Sequence, residues 1–235
     1  MGASHDMAEA LDRMASARNY NAWLAGRARP YVGERVLELG AGIGTIAELL
    51  AKGSEVVALE PDQELVAELR RRAASTPSLT VVDEDAETYL GRVSEAFDSV
   101  VCMNVLEHIE AEAETLRGCR SALVPGGHLL LLVPAHASLF GAVDEMGGHV
   151  RRYDAPHLRR ALTEAGFDVV DLRHVNPVGA LGWLVVSRLL RRDQVPRGPL
   201  VSYDRLVPLL RQLDRLRLPF GLSLWAVARR PSTSS

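Results

Sequence analysis

The sequence predicts an α/β protein built on a doubly wound, mostly parallel sheet. Short apolar runs alternate with segments of helical periodicity from residue 34 to about residue 175. The runs are almost continuously apolar, which is typical of parallel strands that are buried on both faces. In such folds, right-handed crossovers leave ligands to bind beyond the carboxyl ends of the strands. The functional residues are therefore expected at that edge of the sheet.

The composition is that of an ordinary globular domain. The chain has 235 residues, of which 47% are hydrophobic and 24% are charged. Cys102 and Cys119 lack metal-ligand spacing, and no apolar signal segment opens the chain, so a cytoplasmic protein is expected. The net charge of −3 combines −11 up to residue 150 with +8 after it. The basic half favours either an anionic partner or a set of solvated, arginine-rich helix faces.

Glycines at alternate positions follow the first predicted strand, over residues 34–39. Gly40, Gly42 and Gly44 come directly before a helix that begins at Thr45. Glycine lets the backbone turn sharply, and the start of a helix offers free N–H donors to an anion. The spacing Gly-x-Gly-x-Gly predicts a nucleotide site, and a plain glycine-rich connection is the alternative.

Further elements follow in alternation along the chain. Strands are predicted at 55–59, 79–82, 97–103, 128–133, 167–174 and 221–228, and helices at 6–29, 45–52, 62–74, 110–122 and 155–165. The Pro-Gly-Gly sequence at 125–127 predicts a turn before the fifth strand. A long segment over 134–153 then follows the fifth strand, where such loops often carry function.

Two apolar segments, 178–191 and 203–217, precede the last strand. The first is too short to span a bilayer, and the second is amphipathic. The pair could cover a substrate cavity, or lie on a membrane surface. We therefore expect an N-terminal helical cap over 1–32, a main domain over 33–230 with a helical insertion or lid over 176–220, and a disordered tail over 231–235.

Polar side chains follow the next three strands, at the point where each strand ends. Glu60 follows the second strand, where a carboxylate can accept hydrogen bonds from both ribose hydroxyls or begin a helix. Asp85 follows the third strand and could accept from an adenine amine, or cap the helix after it. Asn104 follows the fourth strand, beside the glycine turn. Together these positions describe an adenosine that bears a polar tail.

These motifs resemble those of the class I S-adenosylmethionine-dependent methyltransferases. The sequence Leu-Glu-Leu-Gly-Ala-Gly-Ile-Gly at 37–44 is similar to that family's first motif. Residues 58–62, 85–87, 97–108 and 123–129 resemble its later motifs, and the resemblance covers about 33–175. It implies a Rossmann-like sheet of seven strands with the last antiparallel. It also implies S-adenosylmethionine as cofactor and S-adenosylhomocysteine as product.

The resemblance also implies roles for individual residues. Gly40 and Gly42 would approach the methionine part of the cofactor, with Glu38 nearby. Tyr20 lies in a region that closes over the cofactor in some relatives, although it could instead dock its helix on the core. The predicted cofactor-binding residues are Tyr20, Glu38, Gly40, Gly42, Glu60, Asp85, Ala86 and Asn104.

A hydroxyl acceptor must lose a proton, so a general base is needed for that chemistry. The candidates are His149, His108 and His136. His149 is preferred because its loop resembles the histidine-bearing loop of quinone-biosynthesis O-methyltransferases, although it could merely brace the loop. No metal ion is expected, because Asn104 stands where metal-binding relatives carry a glutamate.

Two arginines, Arg151 and Arg152, follow shortly after His149 in the sequence. They could clamp an anionic acceptor or form structural ion pairs.

The predicted function is methyl transfer to a small-molecule acceptor, apolar or anionic, with an oxygen nucleophile favoured. A nicotinamide-dependent dehydrogenase is the runner-up, although it would require Gly-x-Gly-x-x-Gly; a non-catalytic S-adenosylmethionine-binding protein is the third hypothesis. No nucleic-acid acceptor is expected, because neither Asn-Pro-Pro-Tyr nor Asp-Pro-Pro-Tyr follows the fourth strand to hold a flipped base. Peripheral membrane contact through 178–217 and the oligomeric state are left open.

Overall fold

A sheet of seven strands forms the centre of the computed structural model, which describes residues 15–184 and 197–232. The strands are β1 (Arg35–Leu39), β2 (Glu55–Leu59), β3 (Leu79–Val82), β4 (Phe97–Met103), β5 (Leu123–Pro134), β6 (Asp168–Val175) and β7 (Ser223–Arg229). Their order is β3-β2-β1-β4-β5-β7-β6, and β7 is antiparallel to both of its neighbours. The predicted doubly wound sheet with an antiparallel last strand is therefore confirmed.

Helices connect the strands. They are α1 (Arg18–Ala28), α2 (Thr45–Leu50), α3 (Gln63–Ala73), α4 (Ala86–Leu90), α5 (Glu112–Ala122), α6 (Ala142–Met146), α7 (Ala155–Glu164), α8 (Pro177–Leu184) and α9 (Arg197–Leu210). Short 3-10 turns lie at Arg29–Tyr31, Leu106–His108, Ala137–Leu139 and Leu213–Leu216. Among the residues that the structure describes, no helix combines the length and the apolar character that crossing a membrane requires.

The fifth strand differs from the prediction. Residues 125–127 do not form a separate turn before it, because β5 already begins at Leu123. Leu123 pairs with Phe97 and His128 pairs with Ser99, so the intervening residues form an irregularity within the ladder. Gly126 lies there with φ +84°, a left-handed conformation that suits glycine. The Pro-Gly-Gly sequence therefore indicated the unusual backbone conformation correctly, but the prediction of where β5 begins was wrong.

The predictions for the chain ends and the C-terminal segments are tested only in part. Residues 1–14, 185–196 and 233–235 lie outside the described residues, so the start of the helix 6–29, the end of the segment 178–191 and most of the predicted tail do too. The second segment begins earlier than expected, as α9, and ends in the 3-10 turn at Leu213–Leu216. The division into cap, main domain and lid stays a prediction.

Both faces of the sheet are buried, as the apolar runs predicted. In β1, Leu37 and Leu39 belong to one core cluster, whereas Val36 belongs to the cluster on the opposite face. In β4, Cys102 and Val101 divide in the same way, because successive side chains of a strand point to opposite faces. Burial on both faces leaves the strand ends as the place where polar side chains collect.

β1 lies near the middle of the sheet, and later strands lie on both sides of it. β1 pairs with β2 on one side and with β4 on the other, and both pairings are parallel. The carboxyl ends of β1 and β4 therefore meet at the point where the strand order reverses. In open α/β sheets, this is where a crevice for a ligand forms. The glycine turn after β1 lies at this point.

An aspartate from the distant helix α9 caps the start of α1. Ala17, the residue before α1, has no side chain that could cap it. Asp204 supplies the missing acceptor: Tyr20 N donates to its Oδ1 over 2.9 Å, and Asn19 N donates to its Oδ2 over 3.2 Å. Asp204 is only 8% exposed. The contact joins the two ends of the chain across the same face of the sheet.

We expect Asp204→Ala to lower the melting temperature by several degrees. Charge-assisted hydrogen bonds contribute roughly 1.5–3 kcal/mol, and about 1 kcal/mol corresponds to about 2–4 °C in a chain of this size. Asp204→Asn is the matched control, because it keeps one acceptor oxygen and should lose less stability. Equal melting temperatures for Asp204→Ala and the wild type, measured by circular dichroism, would contradict the capping role.

Candidate cofactor and active site

The turn after β1 has a conformation that requires glycine. Gly40 adopts φ +62° and Gly44 adopts φ +84°, both in the left-handed region. A Cβ atom on Gly40 would lie 2.5 Å from Cγ2 of Val105, and one on Gly44 would lie 2.4 Å from Cδ1 of Leu69. Larger residues would therefore be strained and would clash with their neighbours. The turn brings bare peptide groups to the carboxyl end of β1.

Glu38 lies in the strand just before this turn and is 4% exposed. Burial, and next the nearby charge of Glu60, raise the pKa of Glu38 to about 8. Within the described residues, its Oε2 atom has no hydrogen-bond partner. A buried carboxyl oxygen without a donor is costly, and a cationic ligand would satisfy it. The amino group of a bound amino acid is such a cation, so Glu38 fits the predicted place beside the methionine part of the cofactor.

Glu60 lies at the end of β2 and turns toward the glycine turn. Its Oε2 accepts a hydrogen bond from Gly42 N over 2.7 Å, and its Oε1 accepts one from Asp62 N over 3.0 Å. Burial raises the pKa of Glu60, and these two backbone donors partly offset that rise. Each carboxylate oxygen can accept a second hydrogen bond. Glu60 is therefore inside the crevice, and its role toward a ribose stays a prediction.

Asp85 caps α4, which was the alternative to an adenine contact. Its Oδ1 accepts from Thr88 N over 2.7 Å, and its Oδ2 accepts from Thr88 Oγ1 over 2.9 Å. These hydrogen bonds from Thr88 are the main reason that the pKa of Asp85 is lowered. The cap leaves further acceptor positions on the exposed carboxylate, so a contact with an amine remains open to it. Ala86 is the first residue of α4, beside this cap.

Asn104 follows β4 with φ +55°, a conformation that is uncommon for residues other than glycine. Its N–H donates to Leu132 O over 2.8 Å, which ties the end of β4 to β5. Its side chain is exposed at the crevice edge. Backbone strain of this kind concentrates at ligand sites. The predicted position of Asn104 beside the glycine turn agrees with the pairing of β1 and β4.

Tyr20 is 8% exposed and packs in the core cluster that α1 shares with the sheet. Its ring lies 5.4 Å from that of Trp23. These contacts match the alternative that the aromatic residues dock the helix. Closure of Tyr20 over a cofactor stays a prediction.

His149 lies beside a buried aspartate that the sequence analysis did not single out. Its Nδ1 atom is 2.9 Å from Oδ1 of Asp144, which is only 1% exposed. Arg152 Nε donates to the same oxygen over 2.7 Å, and Gly141 N donates to Oδ2 over 3.1 Å. A carboxylate can only accept hydrogen bonds. With His149 Nδ1 as the donor to Asp144, the lone pair of the neutral ring is on Nε2.

Glu107 and His108 lie against the same histidine. The rings of His108 and His149 meet edge to face, with 4.8 Å between their centroids. Glu107 is 1% exposed, burial raises its pKa to about 8, and its Oε2 has no hydrogen-bond partner among the described residues. Ligand atoms of Glu107, His108 and His149 all lie within 4.8 Å of one another. These three residues could hold a divalent cation, although the sequence predicts none.

The other candidate base and the two arginines make structural contacts. His136 Nε2 lies 3.0 Å from Gly221 O, and its ring stacks on His174. Arg151 donates to the carbonyl oxygens of Leu106, Ile109 and Glu110, and the buried Arg152 donates to Asp144. Clamping of an anionic acceptor by these arginines is therefore the weaker alternative. A neighbouring aspartate is no signal by itself, so sequence reasoning could not identify Asp144.

Comparison with curated proteins shows relatives in quinone biosynthesis. The chain is 32% identical over 190 residues to the ubiquinone biosynthesis O-methyltransferase of Cronobacter sakazakii, and the alignment covers 79% of this chain and 74% of that protein. It is 36% identical over 99 residues to the enzyme of the same name from Aliivibrio fischeri. That alignment covers 41% of this chain and 42% of the relative, so the chain matches less than half of that protein's length.

Comparison with solved structures supports the fold. The phosphoethanolamine N-methyltransferase 2 of Haemonchus contortus, solved in complex with S-adenosyl-L-methionine, superposes with a TM-score of 0.62 at 19% identity. The match covers 86% of this chain and 49% of that chain. The sequence model of the family described as Methyltransferase domain matches residues 3–172, well over half of the chain. The chain therefore belongs to the class I S-adenosylmethionine-dependent methyltransferases.

Proposed function

We propose that this protein transfers the methyl group of S-adenosylmethionine to a hydroxyl group of a small-molecule acceptor. The observation that carries the proposal is the pair formed by Asp144 and His149, whose Oδ1 and Nδ1 atoms lie 2.9 Å apart. A nitrogen or sulfur acceptor can attack without a dedicated base, whereas a hydroxyl gains from one. The ubiquinone relatives, which carry O-methyltransferase in their names, support the same choice.

The cofactor half of the site consists of the glycine turn and two buried carboxyl groups. Glu38 offers its unpartnered Oε2 atom to the amino group of the cofactor. Glu60, held by Gly42 N, is in reach of the ribose hydroxyls in this arrangement. We assign Gly40, Gly42 and Asn104 to the methionine end and Asp85 with Ala86 to the adenine end. The bound cofactor supplies an electrophilic methyl group on a sulfonium sulfur.

The acceptor half lies on the loop between β5 and α7. Val150 N donates to Glu107 O over 2.8 Å, which fixes this loop against the turn after β4. His149, the residue before Val150, is thereby held beside the turn at Leu106–His108. Its side chain is 23% exposed, so an acceptor can reach it. In this proposal His149 Nε2 accepts the proton of the acceptor hydroxyl, and the bound cofactor would supply the methyl group to the acceptor oxygen and keep the carbon–sulfur electron pair on its sulfur.

Asp144 acts through His149 rather than on the acceptor. Its buried carboxylate holds the ring in one tautomer and stabilises the imidazolium that forms. Arg152 Nε donates to that carboxylate and holds it in place. Alignment of acceptor and methyl donor supplies most of the remaining acceleration.

We expect His149→Ala to lower kcat by about 10²–10⁴-fold, the usual contribution of a general base, without changing cofactor affinity. The assay measures release of S-adenosylhomocysteine in the presence of candidate acceptors. These are pairs of ring compounds in which one member carries a hydroxyl group where the other carries an amine. His136→Ala is the matched control and should keep its activity. Wild-type turnover by His149→Ala, or turnover of the amines alone, would contradict the proposal.

We also expect that chelators will not reduce the activity of the wild type. The proposal gives His149 to proton transfer, so no ion is required at the group formed with Glu107 and His108. Activity is measured after dialysis against EDTA and after return of magnesium or zinc. Loss on chelation and recovery with an ion would assign His149 to metal binding instead.

We expect Glu60→Ala to weaken cofactor binding by about 10- to 100-fold, because hydrogen bonds to a charged group contribute roughly 1.5–3 kcal/mol. The variant also leaves Gly42 N without its acceptor, so its melting temperature is recorded alongside the affinity. Glu64→Ala, an exposed acid in the first turn of α3, is the control. Unchanged affinity for S-adenosylhomocysteine in titration calorimetry, with Glu60→Ala folded, would remove the ribose assignment.

We expect cofactor binding to release a proton from Glu38 near neutral pH. Its pKa of about 8 means that the free protein holds this proton at pH 7, and a cationic amino group should expel it. Because the folded state holds the proton more tightly than the unfolded one, stability falls as pH rises from 4.5 to about 8. Calorimetry in buffers of different ionisation enthalpy measures the release, and Glu38→Gln should abolish it. Equal proton release by Glu38→Gln would show that another group titrates.

A further inference from the structure

We propose that the segment 197–220 forms a surface that docks on an anionic lipid bilayer. In the described part of the chain, eight large apolar side chains are exposed, and four of them lie in this segment. They are Leu206 at 52%, Leu209 at 70%, Leu216 at 65% and Phe220 at 42% exposure. Single exposed apolar residues are ordinary, but such a concentration in one short segment indicates an interaction surface.

The exposed leucines are not needed to pack the helix. The inner side of α9 carries Val207, which is 3% exposed, and Asp204, which caps α1. Leu206 and Leu209 are three residues apart and therefore lie on one side of the helix. The core cluster that α9 contacts includes Val207 but neither Leu206 nor Leu209, so another apolar medium can cover that side.

The charge around these leucines fits lipid headgroups. The segment contains five arginines and two aspartates, and Asp204 is already committed to α1. Arg205, Arg211 and Arg217 are exposed beside the apolar residues. Apolar side chains flanked by arginines bind at the interface of anionic membranes. A second copy of the chain would instead bring two sets of arginines together, which is unfavourable.

The segment lies at the edge of the sheet that carries the site. It leads into β7, whose first residue, Ser223, pairs with Pro134 and Val175 at the carboxyl ends of β5 and β6. The glycine turn and Asn104 occupy the same edge, after β1 and β4. Docking would thus bring an apolar acceptor dissolved in the bilayer close to the site. That consequence depends on the proposed function, whereas lipid binding itself does not.

The test is sedimentation of the full chain with vesicles of phosphatidylcholine, either pure or mixed with phosphatidylglycerol. The wild type should bind the mixed vesicles, bind the neutral ones weakly, and lose affinity as salt is added. The double variant Arg205→Gln/Arg211→Gln should bind roughly thirtyfold more weakly, at about 1 kcal/mol for each arginine; Arg217 is left unchanged because it lies 4.0 Å from Asp171. Leu206→Ser/Leu209→Ser should also lose binding.

Two controls keep the result specific. Arg159→Gln/Arg160→Gln changes two exposed arginines of α7, and Val170→Ser changes an exposed apolar residue of β6; both should bind like the wild type. Thermal melts confirm that every variant is folded. No binding to anionic vesicles, or equal binding by the segment variants and the wild type, would overturn the proposal.

Sedimentation equilibrium tests whether a second copy of the chain, rather than a lipid bilayer, covers this surface. The wild type could form a dimer that dissociates in the variant Leu206→Ser/Leu209→Ser, and also fail to bind vesicles. That result would make this face a contact between two copies of the chain and would overturn the proposal. Because no methyl acceptor is used, failure here is separate from failure of the proposed function.

Discussion

The hydrogen bond from Gly42 N to Glu60 Oε2 is the interaction on which the crevice depends. It joins the turn after β1 to the end of β2, and so it closes one side of the crevice. The other side is set by Val105, which packs where a side chain on Gly40 would have to lie. The carboxyl groups of Glu38 and Glu60 are buried here because strands on both sides cover them. Burial makes these acids costly unless a ligand supplies donors, so the stability of this region and ligand binding are coupled.

The opposite half of the site depends on Asp144. One buried carboxylate, on the short helix α6, receives His149, Arg152 and the backbone of Gly141, and it therefore orders the connection between β5 and α7. The same loop is fixed to the turn after β4 through Glu107 O. A long connection can thus hold a histidine in one place, which the proposed proton transfer requires. The arginines that follow serve this architecture, and ligand contact is not needed to explain them.

For those parts of the candidate site in which a local motif specifies a local conformation, the sequence was sufficient to predict the backbone. The glycine turn needed left-handed backbone at Gly40 and Gly44, and the acids after β2 and β3 needed only the strand ends to place them. Glu107 was missed because its role depends on a contact with Val150, 43 residues further along the chain. Asp144 was missed for another reason: its partners are only three to eight residues away, but no motif marks an aspartate that pairs with a histidine five residues later. Asp85 and Tyr20 had two interpretations each. In both cases the structure shows the packing role directly, because capping and core contacts form without a ligand.

The amino-acid sequence by itself determined the order of strands and helices, the doubly wound sheet and the positions of the strand-end residues. These follow from periodicity and from glycine, whose effects are local. Only the tertiary structure decided that Asp204 caps a helix nearly two hundred residues away, that the ring of His149 meets that of His108, and that Leu206 and Leu209 face outward. Hydrogen bonding and exposure of this kind depend on which segments meet in space, and no local pattern in the chain specifies that.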